Sequence, residues 1–175
     1  DKYQYIDRFD KIIRKGVNNE PPIKGLSLSG STDVDSTGIV MAEPYAVLLF
    51  DEKFETPVSE WQADFAKLYK EIQQKHIPVY VVTTSMDKAA AKLANTPFRD
   101  IPVFKCDYTV IRTAARTNPA LYLLKEGTII NKWSYKRFDD ALTAFDKVPM
   151  LPKPGDIATP GMDSINLKTD STNNK

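Results

Sequence analysis

Between residues 45 and 133 the chain alternates continuous apolar runs with amphipathic stretches. Ala46-Val47-Leu48-Leu49-Phe50 is unbroken, which predicts a strand buried on both faces and placed centrally in a sheet. Thr56 can cap and Pro57 can open the next helix, whose Val58, Trp61, Phe65, Leu68 and Ile72 keep one face apolar until about Lys75. Residues 77–82 predict a second buried strand, parallel to the first because a helical crossover joins them. Ser85 can cap a short Ala-rich helix through Leu93, Val103-Phe104-Lys105 reads as a brief strand, and a further helix is expected over residues 107–116. Residues 121–124 and 128–133 are two strands separated by Lys125-Glu126-Gly127, a sequence that suits a tight antiparallel hairpin with Gly in the left-handed region. Ser134 can cap a last helix in which Phe138, Leu142 and Phe145 share a face.

The flanks read differently. Tyr5, Ile6, Phe9, Ile12 and Ile13 recur at helical spacing up to Gly16, which predicts an amphipathic helix within an N-terminal unit of residues 1–20. Residues 17–45 are rich in Gly, Ser, Pro and Asp, and their short apolar pieces at 26–28 and 38–41 predict a peripheral hairpin. Past Pro149 apolar content is too low to build a core, so 149–175 is expected to be an extended or flexible tail. That leaves residues 21–148 as one α/β domain of order β-α-β-α-β-α-β-β-α. The predicted fold is thioredoxin-like: a central mixed sheet, made of a parallel βαβ unit and an antiparallel C-terminal hairpin, flanked by helices.

Composition narrows the function by exclusion. A chain of 175 residues with 42% apolar content can bury one proper core. Its 24 basic and 23 acidic residues leave a formal charge of +1, which gives no electrostatic case for nucleic acid. One cysteine and one histidine exclude an internal disulfide, a Cys-x-x-Cys dithiol and a cysteine-rich zinc site, so neither metal nor cofactor is expected. No apolar run approaches the roughly 20 residues that span a bilayer. The chain starts at Asp1 and runs straight into a helical pattern, and the expectation is a fragment or processed product.

The richest motif is Thr117 to Gly127, where Asn118-Pro119 stands directly before an apolar strand that ends in a charged Gly turn. In a thioredoxin fold a proline here is cis, turns the chain into the strand and, in redox members, presents the backbone of the residue before it to an extended peptide. Laid over the same template, Glu55-Thr56-Pro57-Val58 stands where Cys-x-x-Cys would, and neither Glu nor Val can exchange disulfides. Glu55 is either a solvated acid near a helix start or a carboxylate that contacts a ligand; Thr56 is a cap on both readings. Arg112 and Arg116, one helical turn apart, either interact with a helix end or hold an anion. Cys106 is read as a buried strand-end residue, with a lone reactive thiol as its alternative role, and His76 as structural. The candidate binding groove is therefore Glu55, Thr56, Pro57, Val58, Arg116, Asn118 and Pro119, with no catalytic residue assigned.

The run from Cys106 to Trp133, with its basic residue, small residue, Asn-Pro, apolar strand, charged Gly turn and Lys-Trp, resembles the C-terminal region of DoxX/DoxD-like membrane proteins from Bacteroidetes. The likeness extends more loosely back to Pro21-Pro22-Ile23. The resemblance implies four transmembrane helices followed by a soluble thioredoxin-like domain, tethered to the inner membrane. Arg8, Lys11, Arg14 and Lys15 favour a cytoplasmic face without fixing it. With Glu55 and Val58 in place of the two thiols, the expected function is a redox-inactive module that binds a protein or peptide partner or stabilises its own transmembrane half. The alternatives are a subunit of a quinone-linked thiol or thiosulfate oxidoreductase, and a monothiol enzyme using Cys106. A carrier of small apolar ligands would need a sizeable apolar cavity beside the sheet.

Overall fold

The structure, a computed structural model, describes residues 25–153. The helix expected within residues 1–16 and most of the expected tail lie outside the described residues. The elements are α1 (Thr37–Ala42), β1 (Ala46–Phe50), α2 (Gln62–Gln74), β2 (Val79–Thr83), α3 (Met86–Leu93), β3 (Val103–Lys105), α4 (Tyr108–Ala114), β4 (Ala120–Lys125), β5 (Thr128–Ser134) and α5 (Phe138–Phe145), with single 3-10 turns at Val58–Glu60 and Tyr135–Arg137.

One five-stranded sheet runs β3-β2-β1-β4-β5. β1 is central and wholly buried, parallel to β2 with Val47 opposite Val79 and antiparallel to β4 with Leu48 opposite Tyr122. Side chains of a strand alternate between the two faces of the sheet, so β1 and β4 each feed two cores. Val47, Leu49, Leu121 and Leu123 enter the larger one, with Phe65, Leu68 and Ile72 of α2, Ala89 and Leu93 of α3, and Phe138, Ala141 and Phe145 of α5. Its centre is aromatic: Phe98 stacks on Trp61 with centroids 5.9 Å apart and meets Phe65 edge-on at 4.8 Å. Ala46, Leu48, Phe50, Ala120, Tyr122 and Leu124 enter the smaller core with Leu28, with Val40 of α1 and with Ile111 of α4. Two helices of six and seven residues cover that face.

The local chemistry explains where the elements stop. At the end of α2, His76 has φ of +56°; its N–H donates to the Gln73 carbonyl and that of Ile77 to the Ile72 carbonyl. This is a Schellman ending, in which Ile77 also packs with Ile72, so the lone histidine is a helix stop. Glu126 (φ +46°) and Gly127 (φ +73°) make the β4–β5 connection a two-residue turn with both residues left-handed, the arrangement that matches strand twist.

Neither Ser85 nor Ser134 makes a side-chain cap bond, α5 starting only after Arg137, and two larger expectations fail for identifiable reasons. Residues 38–41 are helical: Asp35 Oδ1 accepts from the Thr37 N–H and hydroxyl, which starts α1, and Ser29, just past the 26–28 piece, bridges Asp35 and Lys105. The helix expected from Pro57 begins at Gln62. Pro57 keeps an extended ψ of 132°, one 3-10 turn intervenes, and Trp61 occupies the cap position with no side-chain cap.

Candidate functional site

The carboxyl ends of the parallel pair β1 and β2 converge on the loop before β4, and the loop that follows β1 is shaped by one buried acid. Asp51 is fully buried; its Oδ1 accepts from the Phe54 N–H at 2.8 Å while Oδ2 has no hydrogen-bond partner. This closes a turn in which Phe54 takes a φ of +53° and buries its ring in the larger core. Loss of solvent pushes the Asp51 carboxyl up to about 6, against the pull of the Phe54 and Lys53 N–H groups.

The turn presents the peptide of Glu52 to its neighbours on both sides. Its carbonyl accepts from Thr83 Oγ1 (3.0 Å), Thr84 Oγ1 (2.6 Å) and Thr84 N (3.1 Å), and its N–H donates to Asn118 Oδ1 at 3.3 Å. Four residues on, Thr56 Oγ1 donates to the carbonyl of Asn118 at 2.6 Å. The Asn118–Pro119 bond is cis. Loops that follow β1 and β2 and precede β4 are thus fastened together by backbone and short polar side chains.

Beside this junction lies a polar cavity of about 480 Å³. Glu55, Arg116 and Asn118, all expected at the site, line it; Glu52, Lys53, Tyr108, Arg112 and Ala115 complete its walls. Lys53 pairs with Glu52 at 3.2 Å and stands 5.4 Å from the centre of the Tyr108 ring, while Arg112 stands 5.3 Å from the same ring. The Arg112 Nη1 also donates to the Tyr108 hydroxyl, a bond that holds the guanidinium above its ordinary range. The cavity therefore offers three cations and two carboxylates around an aromatic ring, an arrangement suited to a polar or zwitterionic group rather than a greasy one.

Several expectations change here. Thr56 does not cap a helix; its hydroxyl is engaged by Asn118. Pro57, Val58 and Pro119 are not among the cavity-lining residues, and Val58 packs partly against the larger core. Arg112 and Arg116 do not share a helix face, because α4 ends at Ala114 and Ala115 turns extended, yet both reach the same cavity. Cys106 is 6% exposed within the smaller core, its N–H donates to the Thr83 carbonyl, and burial pushes its thiol up. It does not line the cavity. Lys53 and Tyr108 do not stand out in the sequence; the signal is Asp51-Glu52-Lys53 placed immediately after an apolar strand, where the carboxyl end of a parallel strand borders binding sites.

No family model matches the chain, and no curated protein matches it. Among solved structures, the Xanthomonas campestris bacterioferritin comigratory protein, described for its alkyl peroxide reduction activity, is similar over 69% of this chain and 89% of its own, at 21% identity and a TM-score of 0.51. Peroxiredoxin Q from the same organism matches over the same shares at 19% identity and a TM-score of 0.52. The fold is thioredoxin-like. A putative thiol:disulfide interchange protein DsbE from Chlorobium tepidum covers 68% of this chain and 91% of its own, at 16% identity and a TM-score of 0.49. At these identities the likeness concerns the path of the chain. In this thioredoxin-like domain the region after β1 carries Glu55-Thr56-Pro57-Val58, and the chain's single thiol stands elsewhere.

Proposed function

We propose that this thioredoxin-like domain is a redox-inactive binding module that uses the polar cavity beside Asn118-Pro119 to hold a protein or peptide partner. The observation that carries the reading is the convergence of Glu55, Arg116 and Asn118 on one cavity whose lining contains no thiol. Its three cations and two carboxylates suit a polar peptide segment carrying charges of both signs. The carbonyl of Asn118 accepts from Thr56 Oγ1, and in this reading recognition rests on the charged side chains around the cavity. On the resemblance to DoxX/DoxD-like proteins, the partner is the membrane half of a longer protein or a protein held beside it. No described helix is long and apolar enough to cross a membrane, so such a tether would lie outside the described residues.

The test joins crosslinking with two activity assays. A photoreactive residue at position 116 or 55 of the chain in its native host is expected to give a discrete crosslinked partner. One at Lys70, on the outer side of α2, is expected to give none, and Lys53→Glu with Arg112→Glu should abolish the products. Purified protein is expected to catalyse neither dithiol-driven disulfide reduction nor peroxide consumption, and Cys106 to alkylate slowly until urea is added. Turnover in either assay that Cys106→Ser removes would establish the monothiol alternative and end this reading.

A further inference from the structure

The two faces of the sheet are covered unequally, and the difference leaves a trough. On the smaller-core side, Met41 of α1 and Val110 and Ala114 of α4 flank a hollow of about 330 Å³ whose floor includes Leu48, Phe50 and Leu124. A second hollow of about 370 Å³ shares Leu26, Val110 and Ala114 with it, so the two continue along α4. Ile129, 57% exposed, stands at the rim.

The polar side chains of the first hollow already have partners. The Tyr122 hydroxyl donates to the Ala114 carbonyl, and Thr37 Oγ1 is engaged with Asp35 and with the Leu28 N–H. An occupant must therefore be apolar where it touches the floor. Gly25, the first described residue, itself lines the trough, and residues 1–24 are attached at that point. Within them Tyr5, Ile6, Phe9, Ile12 and Ile13 make one apolar stripe at helical spacing. Residues 17–24 between stripe and trough can reach about 27 Å when extended, ample for the stripe to fold back. Tethering places it at an effective concentration on the order of millimolar, which a free partner seldom matches.

We propose that the apolar stripe of residues 5–13 of this chain covers the trough between α1, α4 and the sheet. The full chain, with Cys106→Ala and a spin label on Asp10→Cys, gives the test by methyl NMR. Methyl signals of Val110, Ala114 and Ile129 are expected to lose more than half of their intensity, while those of Ala66 and Leu142 on the opposite face keep theirs. Adding Phe9→Asp and Ile13→Asp should restore the trough signals. Trough methyls untouched by the label overturn the proposal, as does broadening that survives those two substitutions. So does broadening between labelled and isotope-enriched chains in a mixture, which would assign the trough to a second copy. Trough methyls that ignore the label but shift with an added short-chain fatty acid would assign it to a small ligand and overturn the proposal equally.

Discussion

Thr56 and Asn118, 62 positions apart, are joined by a 2.6 Å hydrogen bond from the threonine hydroxyl to the asparagine carbonyl. The bond ties the loop after β1 to the cis Asn118–Pro119 peptide. Thr56→Val keeps the shape and removes the donor. It is expected to lower stability by about 1 kcal/mol, the usual net contribution of one such bond, and Thr56→Ser should recover most of it. Urea unfolding of the three proteins measures this. If the partner binds through side chains, crosslinking at position 116 should survive Thr56→Val.

The Asp51 carboxyl makes stability depend on pH in the direction opposite to most surface acids. Its folded value of about 6 lies above the ordinary 3.8, so between those values the folded protein holds a proton that the unfolded chain has released. The stabilisation is complete below about pH 4 and is lost as pH rises through about 6. The gap corresponds to about 3 kcal/mol at most. Asp51→Asn, which keeps an Oδ1 acceptor for Phe54, should therefore be more stable than the wild type at about pH 7 to 8 and lose that advantage near pH 4. Denaturant midpoints across that range decide it; a constant difference at all pH values would refute the assignment.

Phe98 is fully buried and touches Trp61, Phe65 and Tyr69, although it lies in the irregular stretch between α3 and β3. Phe98→Ala is expected to cost about 3 to 5 kcal/mol, the usual effect of an emptied aromatic site in a close-packed core, and Phe98→Leu markedly less. Thermal melts of the two variants give the comparison.

The sheet is readable in the sequence because its signals are local. Five consecutive apolar residues at 46–50, the helical spacing from Trp61 to Ile72 and the Lys125-Glu126-Gly127 turn each specify an element without help from elsewhere. The start of α2 is not readable, since Thr56 and Pro57 carry a good helix-opening pattern whose hydroxyl is claimed by a residue far along the chain. Likewise α1 depends on Asp35 and Thr37 bonding to each other and to Leu28, which outweighs the strand-like look of residues 38–41. The fold template is enough to place Asn118, Arg116 and Glu55 near one another, and all three line one cavity. Lys53, Tyr108 and Arg112 meet only when the loop after β1 packs beside α4, a juxtaposition that no spacing rule encodes.

The atoms that fasten the loops together are mostly not the atoms that face the cavity. The Glu52 peptide, the hydroxyls of Thr56, Thr83 and Thr84, and Asp51 hold the scaffold; the side chains of Lys53, Glu55, Arg112 and Arg116 meet the cavity without serving as its fasteners. Glu52 and Asn118 serve in both sets, and the four charged side chains stand outside the fastening network. The charges at those four positions can be exchanged, by evolution or by design, to change the polarity of the cavity while the mould that displays them keeps its shape.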